Sequence, residues 1–159
     1  METIQNLIGV LKQQVELYTT IYHLLKEEKT HISKWQIDRT LEIVKQKETL
    51  LYKEKILDEA REKIAKTLQK SFSLGNASLK SIIEYCKDES IKKELSDLRF
   101  NLIDITNKIY NENMAIKILY HTNLQLIREF FEQMGFVENS SYDNYGSVNY
   151  KSSGVVRSA

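Results

Sequence analysis

The feature that most limits how this chain can fold is the absence of proline. None of the 159 residues is proline, five are glycine, and residues 1 to 134 hold only Gly9 and Gly75. A chain of this length typically carries about 8 prolines and about 11 glycines. Folds made of many short strands need these residues at their turns, and doubly wound α/β folds need glycine where strands lead into helices. The sequence therefore predicts an all-α protein built from long helices.

Three long segments show the periodicity of amphipathic helices. Their apolar residues recur at steps of three and four, which keeps one face of a helix apolar. The predicted long helices cover residues 2–29, 34–70 and 89–134, and a short helix is predicted over residues 77–85. The last helix would be about 67 Å long at 1.5 Å per residue. We therefore expect an elongated antiparallel bundle of three long helices and one short helix, in which the last helix extends beyond the others.

Two helix starts carry capping signals. Ser33 and Gln36 form the S-x-x-Q pattern of a capping box, in which each side chain bonds a free backbone N–H at the other residue. Ile32 and Ile37 flank this box at the spacing of a hydrophobic staple. Asp88 is placed to cap the last helix. We expect the second helix to start directly after Ser33 and the last helix to start after Asp88.

The composition changes abruptly after Gly135. Residues 136–159 are rich in serine, asparagine and glycine and show no helical period. A segment of this composition buries too little apolar surface to offset the entropy lost on ordering. We therefore divide the chain into a helical bundle domain, residues 1–135, and a flexible tail, residues 136–159.

Charge and hydropathy exclude several classes of partner. The chain has 23 basic and 22 acidic residues and a net charge of +1, so it has no overall field to attract nucleic acid. It has no apolar run of about 18 residues and no basic segment followed by an apolar one at its start, so neither membrane insertion nor a secretion signal is predicted. The single cysteine, Cys86, fits a reducing compartment. We expect a cytosolic protein.

The residues that could carry chemistry do not form a recognisable site. Glu28 and His31 match the E-x-x-H pattern of di-iron bundles once, whereas such a site needs the pattern twice, and both residues fall at a predicted helix end where a solvated surface is expected. Cys86 has no histidine in its own segment to activate it, which favours a packed thiol. Gly9 and Gly75 stand alone and form no phosphate-binding loop. We expect no catalytic residues, no metal, no cofactor and no enzymatic activity.

Apolar helix surface is left over once the three long helices have paired. The stripe of the last helix continues past the point where the shorter helices should end, and an unmatched apolar stripe on a protein surface indicates a partner site. Laying a partner's amphipathic helix against such a surface is a common mode of recognition. We therefore expect a binding protein. Its candidate anchors are Ile116, Leu119, Leu126 and Phe130.

A structural role is the alternative interpretation, in the form of a helical tether or coiled-coil dimer without a client. A long coiled coil holds one heptad register over several repeats. The apolar seam of the second helix instead shifts by one residue near position 50, which favours the binding protein. The two parts of this seam are Ile37, Leu41, Val44 and Leu51, and then Leu50, Leu57, Ile64 and Leu68.

Several short motifs, spread over nearly the whole length, match one known family. They are Leu7, Leu11, Tyr18 and Leu24-Leu25 in the first helix; Lys47, Glu48, Leu50 and Leu51, which spell K-E-x-L-L, followed by Leu57 and Arg61; Asn113 with Ile116; and Tyr142 with Gly146, followed by Ser152, Ser153 and Ala159. In these motifs the chain resembles the FlgN-type flagellar export chaperones. It departs from them where Tyr110 stands in place of the first asparagine of the family's N-x-x-N-x-x-L motif.

The resemblance implies a non-enzymatic, ATP-independent chaperone. Its clients would be hook-associated proteins of the flagellum, bound through their amphipathic terminal helical segment and brought to a gate component of the flagellar type III export apparatus. The family attributes contact with the export gate to a tyrosine near the C-terminal end. By this resemblance we expect Tyr142 and Tyr145 to contact the gate, and we expect the chaperone to be a monomer or a weak homodimer.

Overall fold

The computed structural model describes residues 2–135, and this part of the chain is all-α. It contains helices α1 (Glu2–Ser33), α2 (Ile37–Phe72), α3 (Leu79–Tyr85) and α4 (Glu89–Gln133), and no strand. The prediction of three long helices and one short helix is confirmed, with ends that differ by a few residues. None of these four helices is both long and apolar enough to span a membrane. The predicted flexible tail, residues 136–159, lies outside the described residues.

Side-chain pairs show the directions of the long helices. Residues later in α1 pair with residues earlier in α2, so α1 and α2 are antiparallel. Residues later in α1 pair with residues later in α4, so α1 and α4 are parallel. Consecutive long helices therefore alternate in direction, as predicted. The pairs are Tyr18 with Glu54, Glu28 with Lys47, Lys12 with Glu94 and Lys29 with Glu112.

The connection between α1 and α2 does not contain the predicted capping box. The hydroxyl of Ser33 donates to the carbonyl of Thr30 at 2.8 Å, and Gln36, which precedes α2, makes no side-chain cap hydrogen bond. The cause is that α1 continues through Ser33, which places this hydroxyl over carbonyls of its own last turn. The chain then reverses through Trp35, whose φ of 56° is left-handed, and the Gln36 N–H donates to the His31 carbonyl at 2.9 Å. Ser33→Ala is therefore not expected to remove a cap.

The first part of the predicted α2 seam is also wrong. Ile37, Leu41 and Leu51 are exposed, and the residues that α2 buries in this region are Thr40 and Ile43. Ile37 therefore does not form the predicted staple. Periodicity reveals apolar stripes, but it does not show which stripe faces a neighbour when a helix carries two of them. In the first half of α2 the stripe that contains Ile37, Leu41 and Leu51 is exposed.

The core lies in the first of two compact units, Met1–Lys117. Here the start of α1, the end of α2, the short α3 and the start of α4 meet, so that each contributes its apolar face. Leu95 and Ile82 are fully buried in this cluster. Its buried members on the helices are Ile4, Leu7, Ile8, Leu11, Ala65, Leu68, Ile82, Ile91, Leu95 and Leu98.

The segment between α3 and α4 follows the sequence predictions. Asp88 caps α4, since its carboxylate accepts hydrogen bonds from the N–H groups of Ser90 at 2.9 Å and Ile91 at 3.2 Å. Cys86 is buried against the core cluster. Burial raises the pKa of the Cys86 thiol, and the charge of Asp88 adds to the effect. The thiol is therefore packed, as predicted.

Candidate functional site

The described part of the second compact unit, which begins at Ile118, is the last portion of α4. The helix ends at Gln133, and Gly135 leaves it with a φ of 83°, a left-handed conformation that glycine adopts without strain. In its last turns and at the residue directly after them, large apolar side chains are 40–64% exposed. We call six of them the distal α4 surface: Leu124, Leu126, Ile127, Phe130, Phe131 and Met134.

The distal α4 surface is larger than a monomeric protein ordinarily leaves uncovered. At about 200 Å² for a fully exposed large apolar residue, the exposed fractions correspond to roughly 650 Å² of surface. The largest apolar patch on a typical monomer is about 300–600 Å², and patches of this size are often functional. The rings of Phe130 and Phe131 meet edge to face with centroids 5.9 Å apart. This surface is the best candidate for a binding site in the described part of the chain.

The polar residues of the same segment share the other side of the helix. At 100° per residue, His121, Arg128 and Glu132 fall within one narrow sector, with Gln125 and Glu129 beside them. The amide of Gln125 donates to the carboxylate of Glu129 at 2.9 Å, one turn further on. The end of α4 is therefore amphipathic, and its apolar side is the side with unmatched surface.

The four anchors predicted from the sequence differ in accessibility. Ile116 is buried and belongs to the first unit, so its side chain is not available to a partner. Leu119 is half-buried. Leu126 and Phe130 are exposed, as a binding role requires.

Four residues of the distal α4 surface were not among the anchors predicted from the sequence: Leu124, Ile127, Phe131 and Met134. Leu124 and Ile127 are exposed, but they lie off the stripe of three-and-four steps through Leu126 and Phe130, and only that stripe was followed. The signal that could have found them is the local density of apolar residues. Six of the eleven positions from Leu124 to Met134 are large and apolar, more than one narrow stripe needs.

The contact between α1 and α2 contains polar pairs near its middle. The hydroxyl of Tyr18 donates to a carboxylate oxygen of Glu54 at 2.9 Å, and the Lys47 ammonium donates to the carboxylate of Glu28. Between Ile43 and Ala65 no residue of α2 is fully buried. The central part of α2 is therefore positioned on α1 by hydrogen bonds and an ion pair, whereas its two ends are held by buried side chains.

Alkaline pH is expected to weaken the Tyr18 contact. Burial, together with the hydrogen bond to Glu54 and the negative charges of Glu54 and Asp58, raises the pKa of Tyr18 from 10.0 to about 12. The folded state therefore keeps this proton at a pH where the unfolded chain loses it. The stability that depends on the proton is complete below pH 10 and is lost as the pH rises towards 12. Urea unfolding should show that the stability advantage of the natural chain over Tyr18→Phe shrinks between about pH 8 and about pH 11; a constant advantage would contradict this.

Glu28 does not lie on the solvated helix end that the sequence suggested. Its side chain is 1% exposed and pairs with Lys47, because α1 continues to Ser33 and so keeps Glu28 within the contact with α2. His31 approaches Gln36 with its Nδ1 atom 2.5 Å from the amide oxygen. Among residues 2–135 no group of three or more His, Cys, Asp or Glu side chains is arranged to hold a metal ion.

An open cavity of about 210 Å³ lies in the first unit where all four helices contribute side chains, among them Tyr18, Arg61, Leu79 and Leu102. Sites for small molecules usually have volumes of about 300–1,000 Å³. The Arg61 guanidinium is engaged by the carboxylate of Asp58, three residues before it. The cavity therefore has the size of one or two side chains and lacks an uncommitted charged group for a cofactor.

Comparison with known proteins identifies one family. A family model described as FlgN protein matches residues 1–154. No curated protein and no solved structure matches the chain. The match covers both compact units, including the distal α4 surface.

Proposed function

The chain belongs to the FlgN family of flagellar export chaperones, which are not enzymes, and on this premise we propose that it binds hook-associated proteins through their amphipathic terminal helical segment. The observation that carries the proposal is the distal α4 surface, which leaves six large apolar side chains uncovered at one end of a helix. In the assembled filament the apolar face of such a client helix would be packed against its neighbours. Before assembly this face is exposed, and the client is therefore prone to aggregate. Covering that face against the distal α4 surface would keep the client soluble.

We propose the distal α4 surface, in place of the four anchors taken from the sequence, as the client site. It retains Leu126 and Phe130 and omits the buried Ile116 and the half-buried Leu119. The residues it adds are Leu124, Ile127, Phe131 and Met134. Aromatic and aliphatic side chains that become fully covered dominate the free energy of binding, while charges at the rim affect register and association rate. Arg128 and Glu132, on the polar side of the same helix, would form that rim.

Delivery is proposed for the part of the chain after Gly135. Tyr142 and Tyr145 lie outside the described residues, and their assignment to the export gate depends on the family resemblance. Tyrosine combines a large rigid ring with a polar hydroxyl, which suits a transient contact. A chaperone that brings clients to an export gate meets them in the cytosol, which is where we place this chain.

Binding and delivery can be separated by truncation after Gly135. We expect the truncated chain to bind a hook-associated protein with an affinity within about 1 kcal/mol of the full chain, since the deleted residues lie outside the distal α4 surface. Export of the same client from cells should fall. Isothermal titration calorimetry and secretion assays measure the two effects. Loss of client binding on truncation would show that the deleted segment belongs to the client site.

The full chain provides the test of the proposed function itself. Calorimetry against the purified hook-associated proteins of the same organism is expected to show saturable binding to at least one of them. If none of them binds, the client proposal is wrong, and the alternative of a helical tether or coiled-coil dimer without a client takes its place. Sizing of the free chain would then report whether it forms the dimer that this alternative requires.

A further inference from the structure

The distal α4 surface is unusually wide for a helix face. Successive residues of an α-helix are rotated by about 100°. On this basis Leu126 and Leu124 form its two edges, about 160° apart, and the arc between them is filled by Phe130, Met134, Ile127 and Phe131. All six side chains are at least 40% exposed. The exposed apolar side therefore takes up nearly half of the helix circumference.

A single partner helix does not cover an arc of this width. The apolar stripe that a helix buries against one neighbouring layer is typically about 100° wide, and the a/d seam of a two-helix coiled coil is narrower still. A helix centred over Leu126 and Phe130 leaves Leu124 in water. A helix centred over Leu124 and Ile127 leaves Leu126 in water.

The outline of the surface supports the same conclusion. The eleven residues from Leu124 to Met134 rise by about 16 Å along the helix axis, and an arc of about 160° on a helix about 11 Å across is about 15 Å wide. The surface is therefore about as wide as it is long. One long helix lying along α4 would instead be matched by a long and narrow stripe.

We propose that the distal α4 surface receives two neighbouring helices of the same client, one over each edge. The inference rests on the proposed function, because it specifies what kind of client element the site takes. One client helix packs on Leu126 and Phe130, the other packs on Leu124, and Ile127 and Met134 lie between them. A second copy of this chain fits less well as occupant, because its own α4 adds one helix to one edge and leaves the other edge exposed.

Peptides and single substitutions at the two edges test the proposal. The probes are a peptide carrying the terminal helix of a hook-associated protein and a longer fragment that adds the neighbouring helix of the same client. The variants are Leu126→Gln and Leu124→Gln, because glutamine is polar and keeps a high helix propensity. Gln125→Ala, on the polar side of the same turns and outside the proposed rim, is the matched control, and circular dichroism checks that each variant is folded.

We expect the two-helix fragment to bind the natural chain at least tenfold more tightly than the single-helix peptide. Each edge substitution should lower the affinity for the two-helix fragment at least tenfold, whereas only one of the two should lower the affinity for the single-helix peptide. The control should change neither affinity by more than about twofold, because its side chain lies on the opposite side of the helix from the apolar arc.

Three results would overturn the inference. Equal affinity of the peptide and the fragment, or an equal loss of peptide binding in both edge variants, would show that one helix covers the whole surface. If Leu124→Gln left client binding unchanged but dissociated a dimer of the free chain, the Leu124 edge would belong to an interface with a second copy of the chain. Failure of the whole client to bind would instead reject the proposed function, and the inference with it.

Discussion

Replacing Leu126 and Phe130 together by glutamine is expected to lower the affinity for the hook-associated client by at least 100-fold. Both side chains are exposed in the free chain, so their substitution costs little in folding, and both would be covered in the complex. Truncating a well-covered anchor typically costs about 2 kcal/mol or more of binding free energy, which is about 30-fold in affinity for each residue. The two losses are not fully additive, so the expected combined effect is smaller than their product. Calorimetry with the whole client measures the change.

The matched control for this prediction lies on the same helix. Phe100 is a large aromatic residue that is also exposed, but it belongs to the first compact unit. Phe100→Gln should leave the affinity for the client within about twofold of the natural value. If Phe100→Gln weakened binding while the double variant did not, the client site would have to be moved to the first unit.

A stability loss of about 3 to 5 kcal/mol is expected for Leu95→Ala. Leu95 is fully buried in the cluster to which all four helices contribute, and removing its side chain costs the burial of the lost methyl and methylene groups and leaves a cavity. This is a large fraction of the 5 to 15 kcal/mol by which a domain of this size is typically stable. Urea unfolding of the purified chain gives the free energy directly.

Phe100→Ala provides the comparison for this substitution as well. It removes a larger side chain from the same helix, but from an exposed position, so the expected loss is within about 0.5 kcal/mol. A loss for Leu95→Ala below about 1 kcal/mol would show that the cluster around it is not the stabilising core.

The helices were predictable because their signals are local. Steps of three and four and the near absence of turn residues define them, and Asp88 acts as a cap through a backbone contact two and three residues away. The capping box at Ser33 was not predictable in the same way. The pattern of residues is present, but it does not show whether α1 stops before Ser33 or, as in the structure, continues through this residue.

The candidate site was only partly predictable, for a related reason. Leu126 and Phe130 were found by following one stripe, while Ile116 on the same stripe is buried and Leu124 off the stripe is exposed. Periodicity assigns residues to faces of a helix, but where the neighbours of that helix end is a property of the folded structure. The burial of Glu28 was missed because its partner Lys47 lies on another helix.

The pairing of Glu28 with Lys47 limits how α2 can be aligned along α1. Between Ile43 and Ala65 no residue of α2 is fully buried, so this part of the contact has no fully buried apolar side chain that would oppose sliding of α2 by a full turn. Such a slide, about four residues, would bring Ile43 or Leu51 opposite the buried Glu28 in place of Lys47. A carboxylate buried without its cation costs several kcal/mol. The ion pair thus selects one alignment among otherwise similar ones, and a polar contact supplies specificity that the rest of this segment lacks.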